Sequence, residues 1–511
     1  MVASLTIGTG ELIFSTRGGA LFGYRILFLF AIISLLKWGL VFATSRHMIL
    51  TGVHPYRRMI DLPGPRGWLP IMLLLMAMVC LPVWIGFHST VLGNLTSWIT
   101  GTQNVLHGGM DYVWGTVILI AVLILSASGG YSILERVQLF LVAALVFCAG
   151  LTLVLYNPSW LELIYGLVPQ QLAYPEWLPE KYPQIAEHSV WVETTRYVGV
   201  IGGAGFDYLA YITWLREKRW GVLPDKATPA QLALVAADPQ HEVRKWIRAP
   251  LIDSAISFAL VIAFCAVFVA CGAIVLGSEQ AVPDEDNFLS LQAKFVTRIH
   301  SLLFPLYVAG AFFAMLGTLY GTIEVACCIG DEIVRSFVRD WTPTRARNMK
   351  RTVLLWCGPL ALLLLGWLGV RQAIPQVSHQ PPSATIAAQG ADSSNGHEPG
   401  EPARVSKPRL LLAILTPVNL FTGVLSCGLI CILVIWMDAR DLPRELQPPK
   451  WLIAMNVLSA VVFLGLGLKG FWDNENRVVV ACVMVGILIA SLALAVVLGP
   501  KLNSTRGEEP T

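Results

Sequence analysis

The sequence predicts an all-α polytopic membrane protein with about twelve transmembrane helices, arranged as an inverted 5+5 repeat with broken helices 1 and 6. Composition is the first reason: 55% of the 511 residues are hydrophobic and only 14% are charged, whereas soluble domains carry about 25% charged residues. The second is a series of apolar runs, most of them near the roughly 20 helical residues that cross a bilayer. The third is a cluster of glycines in the first run and another in the sixth.

The apolar runs define the predicted spans, numbered 1 to 12 in chain order. They cover residues 1–16, 24–45, 68–99, 113–128, 134–156, 195–215, 251–277, 301–328, 352–370, 410–437, 451–471 and 478–499.

The spans divide the chain into four regions. We expect a first five-helix repeat, an extracytoplasmic loop, a second five-helix repeat, and two additional helices with a short tail, at residues 1–156, 157–194, 195–438 and 439–511. Residues 376–407 are rich in Pro, Ser, Gly and Ala and lack apolar periodicity, which predicts a disordered linker inside the second repeat.

Charge and missing motifs exclude several classes of function. The 36 Lys and Arg nearly balance the 33 Asp and Glu, and a net charge of +3 does not favour a nucleic-acid partner. No His-Glu-x-x-His motif, phosphate-binding Walker loop or nucleophile elbow is present, so we expect no enzyme and no cofactor. Lys and Arg are concentrated in alternate connections, which predicts that both termini are cytoplasmic. Without targeting signals, a bacterial inner (plasma) membrane is the expected location.

The glycine clusters of spans 1 and 6 each end in a carboxylate. Span 1 contains Gly8-Thr9-Gly10-Glu11, and span 6 runs from Gly199 through Gly202-Gly203-Ala204-Gly205 to Asp207. A broken helix is tolerated in a membrane only where its backbone faces protein or water, and an acid there indicates a functional site. Close packing of small residues is the alternative explanation, but the two carboxylates favour a site.

The spacing of the two clusters suggests what the site binds. An odd number of spans in each repeat inserts the second repeat upside down, and glycine-interrupted helices at matching positions then meet at a midplane site. Freed carbonyls and carboxylates there can coordinate a divalent cation, which would be the substrate. The predicted metal ligands are Glu11 and Asp207 as charged groups, completed by Thr9 and by carbonyls around Gly8, Gly10 and Gly203.

Three further polar residues in the spans are weaker candidates for a coupling or supporting role. Glu324 lies deep in span 8 and has either a coupling role in transport or only a polar role. His88 in span 3 is a proton relay or a packing residue, and Asn419 in span 10 is a ligand or an interhelical hydrogen-bonding residue.

The first span resembles that of the Nramp (natural resistance-associated macrophage protein) divalent metal transporters. Their first-span motif, Asp-Pro-Gly-Asn, aligns with Gly8-Thr9-Gly10-Glu11 when the family's Phe-Gly-Tyr-like ending is placed on Phe22-Gly23-Tyr24. The small-residue run from Gly317 to Gly321 also looks like the family's eighth span. The run from Leu415-Thr416-Pro417 to Asp438 resembles its tenth.

The resemblance implies an inverted five-plus-five fold and proton-coupled entry of Mn2+ or Fe2+. This chain departs from it at three places: the first-span aspartate is missing, Gly205-Phe206-Asp207 replaces the sixth-span Met-Pro-His, and the third-span carboxylates are absent. A lost thioether ligand favours an all-oxygen site suited to Mg2+, Ca2+ or Mn2+, as in the magnesium-transporting relatives. The missing third-span acids leave proton coupling open.

These observations predict a secondary transporter that moves Mn2+, Fe2+ or Mg2+ by alternating access. An amino-acid-like organic solute is the alternative substrate on the same fold, since half-helix N-termini can hold a carboxylate. A non-transporting membrane receptor is the alternative from another class. Only seven residues precede Gly8, about 10 Å of helix, so we expect that Met1 is not the natural start or that span 1 is truncated.

Overall fold

The structure is a computed structural model, and the regular elements of its described part are all helices, with no β-strand there. It describes residues 8–128, 143, 147, 150–151, 153–221, 227–283, 288–297, 303–338, 341–373, 410–474 and 476–504. Most of predicted span 5, the linker at 376–407 and residues 1–7 lie outside these ranges.

Ten helical segments of this part are long and apolar enough to cross a membrane, and the first of them, Thr9–Thr51, contains both span 1 and span 2. The spans have the following helical bounds: span 1 Thr9–Phe22, span 2 Leu27–Thr51, span 3 Trp68–Ile99, span 4 Met110–Ser128, span 6 Val190–Val200 and Gly205–Glu217, span 7 Arg248–Cys271, span 8 Leu303–Phe337, span 9 Pro343–Ala373, span 10 Leu410–Asn419 and Ser426–Asp441, span 11 Lys450–Trp472 and span 12 Arg477–Ser504.

Shorter helices lie in the connections. Between spans 2 and 3 is Pro55–Met59; between spans 4 and 6 are Trp160–Tyr165, Leu178–Lys181 and Pro183–Ala186; between spans 6 and 7 are Pro229–Ala237 and Glu242–Trp246; and before span 8 is Phe288–Thr297.

Span 6 begins at Val190, so the last five residues of the predicted loop at 157–194 are helical. This helical extension includes Glu193. In the structure this carboxylate is buried and paired with Arg17 of span 1. The pairing allows the charge to lie inside the helix bundle.

Span 1 forms the centre of the bundle, and every residue from Thr9 to Phe22 is buried. It packs against span 7, which continues beyond Cys271 as a π-helical turn, Gly272–Gly277. A Cβ atom on Gly272 would lie 2.4 Å from the Thr16 carbonyl oxygen of span 1. The two helix backbones therefore approach closely because a glycine stands at their contact.

A second close contact joins span 3 to span 4. A Cβ atom on Gly93 would lie 1.9 Å from the Asp111 carbonyl oxygen, and one on Gly115 would lie 2.7 Å from the Ser89 carbonyl oxygen. Spans 11 and 12 lie at the periphery, where most of their surface is unburied. Small residues thus set the interhelical distance at these interior contacts.

We expect Gly93→Leu to lower the thermal unfolding midpoint of the purified protein by several degrees. The new side chain overlaps backbone atoms of span 4, and overpacking of this kind costs about 1–3 kcal/mol. Gly486→Leu in span 12 is the matched control, because no atom lies within 4 Å of a Cβ at that position. Equal midpoints for the two variants would contradict the assigned packing of spans 3 and 4.

Candidate functional site

Span 6 is interrupted in its middle, as its glycines predict. Its first half ends at Val200, and its second half begins at Gly205. Gly202 and Gly203 between them have φ angles of +80° and +89°. This left-handed conformation costs glycine little and other residues more, which explains why two consecutive glycines stand at the break.

Glu11 and Asp207 occupy the same position in two half-helices. Each is the third residue of its helix, after Gly8 in span 1 and after Ala204 in span 6. A Glu11 carboxylate oxygen, Oε2, accepts from the Gly8 amide at 2.9 Å, and Asp207 Oδ2 accepts from the Ala204 amide at 2.7 Å. Both carboxylates therefore satisfy amides that begin a helix, where negative charge is also favoured by the helix dipole.

Glu11 also links the two broken spans. Its second oxygen, Oε1, accepts from the Gly202 amide at 2.8 Å, across the break in span 6. The side chain is only 3% exposed. By contrast, Asp207 Oδ1 accepts no hydrogen bond from the part of the chain that the structure describes, and the residue lines a cavity. Asp207 thus has a free oxygen where a ligand can reach it.

The cavity lies between spans 1, 3, 6, 8 and 10 and has a volume of about 80 Å3. It contains both carboxylate residues, and its other lining residues are Gly8, Gly10, Leu81, Trp84, His88, Gly199, Val200, Gly203, Ala204, Phe206, Thr318, Gly321, Thr322 and Thr422. One water needs about 10–15 Å3 on the same measure. The cavity is therefore large enough for a small ion with part of its water shell.

His88 contributes a nitrogen donor to the cavity wall. Its ring is stacked on Trp84, with ring centroids 5.7 Å apart, and the Trp84 indole N–H donates to Thr422 Oγ1 at 3.1 Å. The residue is 6% exposed, and its Nδ1 atom has no hydrogen-bond partner among the described residues. An unpartnered buried nitrogen in the wall of this cavity is available to a ligand.

Lys37 of span 2 is a site residue that the sequence interpretation missed. Its ammonium is fully buried and donates to the carbonyl oxygens of Ile201 at 2.8 Å and Gly203 at 2.6 Å. The available signal was a single lysine in the middle of an otherwise apolar span, since an intramembrane charge indicates function by default.

The predicted Gly203 ligand is already engaged. Its carbonyl oxygen accepts from Lys37 and also from the Tyr208 hydroxyl, at 3.1 Å. A carbonyl oxygen has two lone pairs, so binding a cation here would require one of these hydrogen bonds to break. Gly8 and Gly10, the other predicted backbone ligands, line the cavity.

The remaining predicted residues lie around or away from the cavity. The Thr9 amide donates to Thr318 Oγ1 at 3.3 Å, and its own hydroxyl is buried without a partner among the described residues. The Asn419 amide group donates to the Arg196 carbonyl at 3.1 Å. Glu324 accepts from Lys350 at 2.8 Å, outside the cavity lining.

The described residues contain no group of three or more His, Cys, Asp or Glu side chains close enough together to hold a metal ion. A cation bound between Glu11 and Asp207 would therefore complete its shell with carbonyl, hydroxyl or water oxygens. Hard divalent cations accept such mixed oxygen shells.

A second buried charge cluster joins span 1 to the first half of span 6. The Arg17 guanidinium is paired with Glu193, which also accepts from the Tyr197 hydroxyl at 2.7 Å and from Arg196 at 3.3 Å. Arg17 donates further to the Pro283 carbonyl at 2.7 Å. These contacts hold the two broken spans together on the side of the cavity toward the Phe22 end of span 1.

Residues 1–330 match the family model Nramp, described as natural resistance-associated macrophage protein-like. The chain belongs to this family. Two solved structures of the Eremococcus coleocola manganese transporter match this Nramp-family protein with TM-scores of 0.63. One is of a mutant, and the other is in complex with an aromatic bis-isothiourea substituted compound. Each is 15% identical, and the match covers 98% of this chain and 92% of the other.

At this identity the likeness concerns the fold, and it confirms the predicted all-α membrane architecture with an inverted repeat and broken helices 1 and 6. The Nramp-family protein is an integral membrane protein. A comparison with curated protein sequences finds no match.

We expect Glu193→Gln to destabilise the protein by about 3 kcal/mol, because it removes the charge of a buried carboxylate that is paired with Arg17 and accepts from the Tyr197 hydroxyl. The effect is measured as a lower midpoint of thermal unfolding in detergent. Glu187→Gln is the control, since Glu187 is exposed. If both variants unfold at the same temperature, the Arg17–Glu193 pair does not stabilise the bundle.

Proposed function

We propose that this Nramp-family protein is a secondary transporter that moves a divalent metal cation across the membrane by alternating access. One observation carries the proposal: Glu11 and Asp207 lie at matching positions of two broken spans and line one cavity. Family membership supports it, as does the fold shared with a protein described as a manganese transporter.

The proposed ligands are the free oxygen of Asp207, the Glu11 carboxylate, the Thr9 hydroxyl, and backbone carbonyls around Gly8 and Gly10, with water. Binding at Glu11 would compete with its hydrogen bonds to the Gly8 and Gly202 amides. Metal binding and the geometry of the span 6 break are therefore coupled in this proposal. Such coupling is what alternating access requires, because the ligand must favour one conformation over another.

The cavity argues against the organic-solute alternative. Its volume of about 80 Å3 is below the roughly 300–1,000 Å3 of pockets that hold organic ligands. Two carboxylates in its wall would also repel the carboxylate of an amino acid. Both features are compatible with a small cation.

The moving parts of the proposed transporter are its two repeats, residues 1–156 and a second repeat that begins with span 6 at Val190 and ends at residue 438. The long extramembrane loop and the distribution of Lys and Arg support an orientation with both termini in the cytoplasm. A bacterial inner membrane is the proposed location. No enzyme activity forms part of the mechanism, because every step is binding, conformational change and release.

We expect Glu11→Gln and Asp207→Asn each to reduce Mn2+ or Mg2+ uptake into proteoliposomes about tenfold or more. Removing one charged ligand weakens binding by roughly the strength of a charge-assisted interaction. Glu180→Gln is the matched control, because this glutamate lies on the exposed loop. Uptake that is unchanged in both site variants would overturn the site, and wild-type protein that moves neither metal would overturn the function.

We expect His88→Leu to reduce Fe2+ uptake several-fold while Mg2+ uptake stays near the wild-type rate. Imidazole nitrogen is a good ligand for iron and a poor one for Mg2+. The measurement is parallel uptake of the two metals by the same proteoliposomes. Equal losses for both metals would show that His88 acts only through packing on Trp84.

A further inference from the structure

The break in span 6 exposes three consecutive carbonyl groups inside the membrane. The first half of the span ends at Val200, so the carbonyls of Ile201, Gly202 and Gly203 have no partner in a continuing helix. The Tyr208 hydroxyl donates to Gly202 O at 2.7 Å. Lys37 donates to the other two.

The position of the Lys37 ammonium has the features of a cation site. It lies 2.6–2.8 Å from two backbone oxygens at the C-terminal end of a half-helix, where the helix dipole favours positive charge. Glu11 and Asp207 line the same cavity as Gly203, whose carbonyl oxygen accepts from this ammonium. Carbonyl oxygens at the end of an unwound span also coordinate alkali cations in membrane transporters.

Burying the charged Lys37 side chain costs free energy, so the charge should have a role at this position. Its side chain is completely buried, and an ammonium group inside a membrane is unfavourable without partners. A neutral hydrogen-bond donor could satisfy the same carbonyls at lower cost. We therefore infer that the site requires the positive charge of Lys37 and not only its hydrogen bonds.

The charge balance of the site depends on this group. Glu11 and Asp207 contribute two negative charges when ionised, and Lys37 offsets one of them. A site with this ammonium in place has no electrostatic need for a second, freely diffusing cation beside the transported one.

We propose that Lys37 is a tethered cation that occupies an alkali-metal site at the span 6 break and makes the protein independent of Na+, Li+ or K+. The binding part of this inference stands by itself, and only its transport part rests on the proposed function. Removing the side chain should free Ile201 O and one lone pair of Gly203 O, which also accepts from Tyr208, and convert the position into an alkali-metal site.

The test compares wild-type protein with Lys37→Ala and with Lys181→Ala, whose lysine lies on the exposed loop. Binding of radioactive Na+ to the purified full-length proteins is measured in a choline buffer. We expect Lys37→Ala to bind Na+ at least about tenfold more tightly than the wild type or Lys181→Ala, because Ile201 O then loses its Lys37 partner and Gly203 O keeps only the Tyr208 hydroxyl. In proteoliposomes, metal uptake by Lys37→Ala should become several-fold faster in Na+ than in choline, whereas wild-type uptake should not change.

A Lys37→Ala protein that stays monodisperse in choline and binds no Na+, Li+ or K+ would overturn the proposal. If the variant aggregates in choline, purification in one of these ions should restore monodisperse protein, and aggregation in all three would also overturn it. Wild-type protein that transports no divalent metal would instead count against the proposed function, since the binding comparison does not depend on transport.

Discussion

A helix that is interrupted inside a membrane must find partners for the N–H and C=O groups that the interruption releases, because lipid offers none. In this Nramp-family protein the partners come mainly from charged side chains. Glu11 accepts from the Gly202 amide, Asp207 accepts from the Ala204 amide, and Lys37 donates to the carbonyls of Ile201 and Gly203. The break in span 6 and the charges around it therefore depend on each other.

The same constraint explains why the site is built from so few residues. A carboxylate that caps a half-helix already accepts a hydrogen bond with one oxygen, so only its second oxygen is left for another contact. For Glu11 that oxygen crosses to span 6, whereas for Asp207 it remains free at the cavity. Two acids at equivalent positions of the repeats thus have different surroundings: Glu11 joins the broken spans, and Asp207 keeps one oxygen free at the cavity.

Close helix packing makes these contacts possible. Gly19 and Gly272 bring span 1 against span 7, and Gly199 and Gly423 bring the first half of span 6 against span 10. A Cβ atom on Gly423 would lie 2.3 Å from the Gly199 carbonyl oxygen. The buried pair of Arg17 with Glu193 adds a charged contact between spans 1 and 6. Because lipid supplies no hydrophobic drive between helices, such short contacts and polar pairs hold the central spans in place.

The sequence by itself determined which described segments are long and apolar enough to cross a membrane, that spans 1 and 6 are broken, and that Glu11 and Asp207 lie beside the glycines of those spans. Apolar run length, glycine clusters and misplaced acids are local properties, and span 3 matches its predicted bounds at both ends. Only the tertiary structure decided which distant groups meet. Lys37 pairs with carbonyls of span 6, Glu193 with Arg17, and Glu324 with Lys350. These partnerships join residues far apart in the chain, and they depend on helix rotation and packing, which no local pattern encodes. The lone lysine of span 2 showed that a charge was present, but its hydrogen-bond partners became visible only when the break in span 6 was in place.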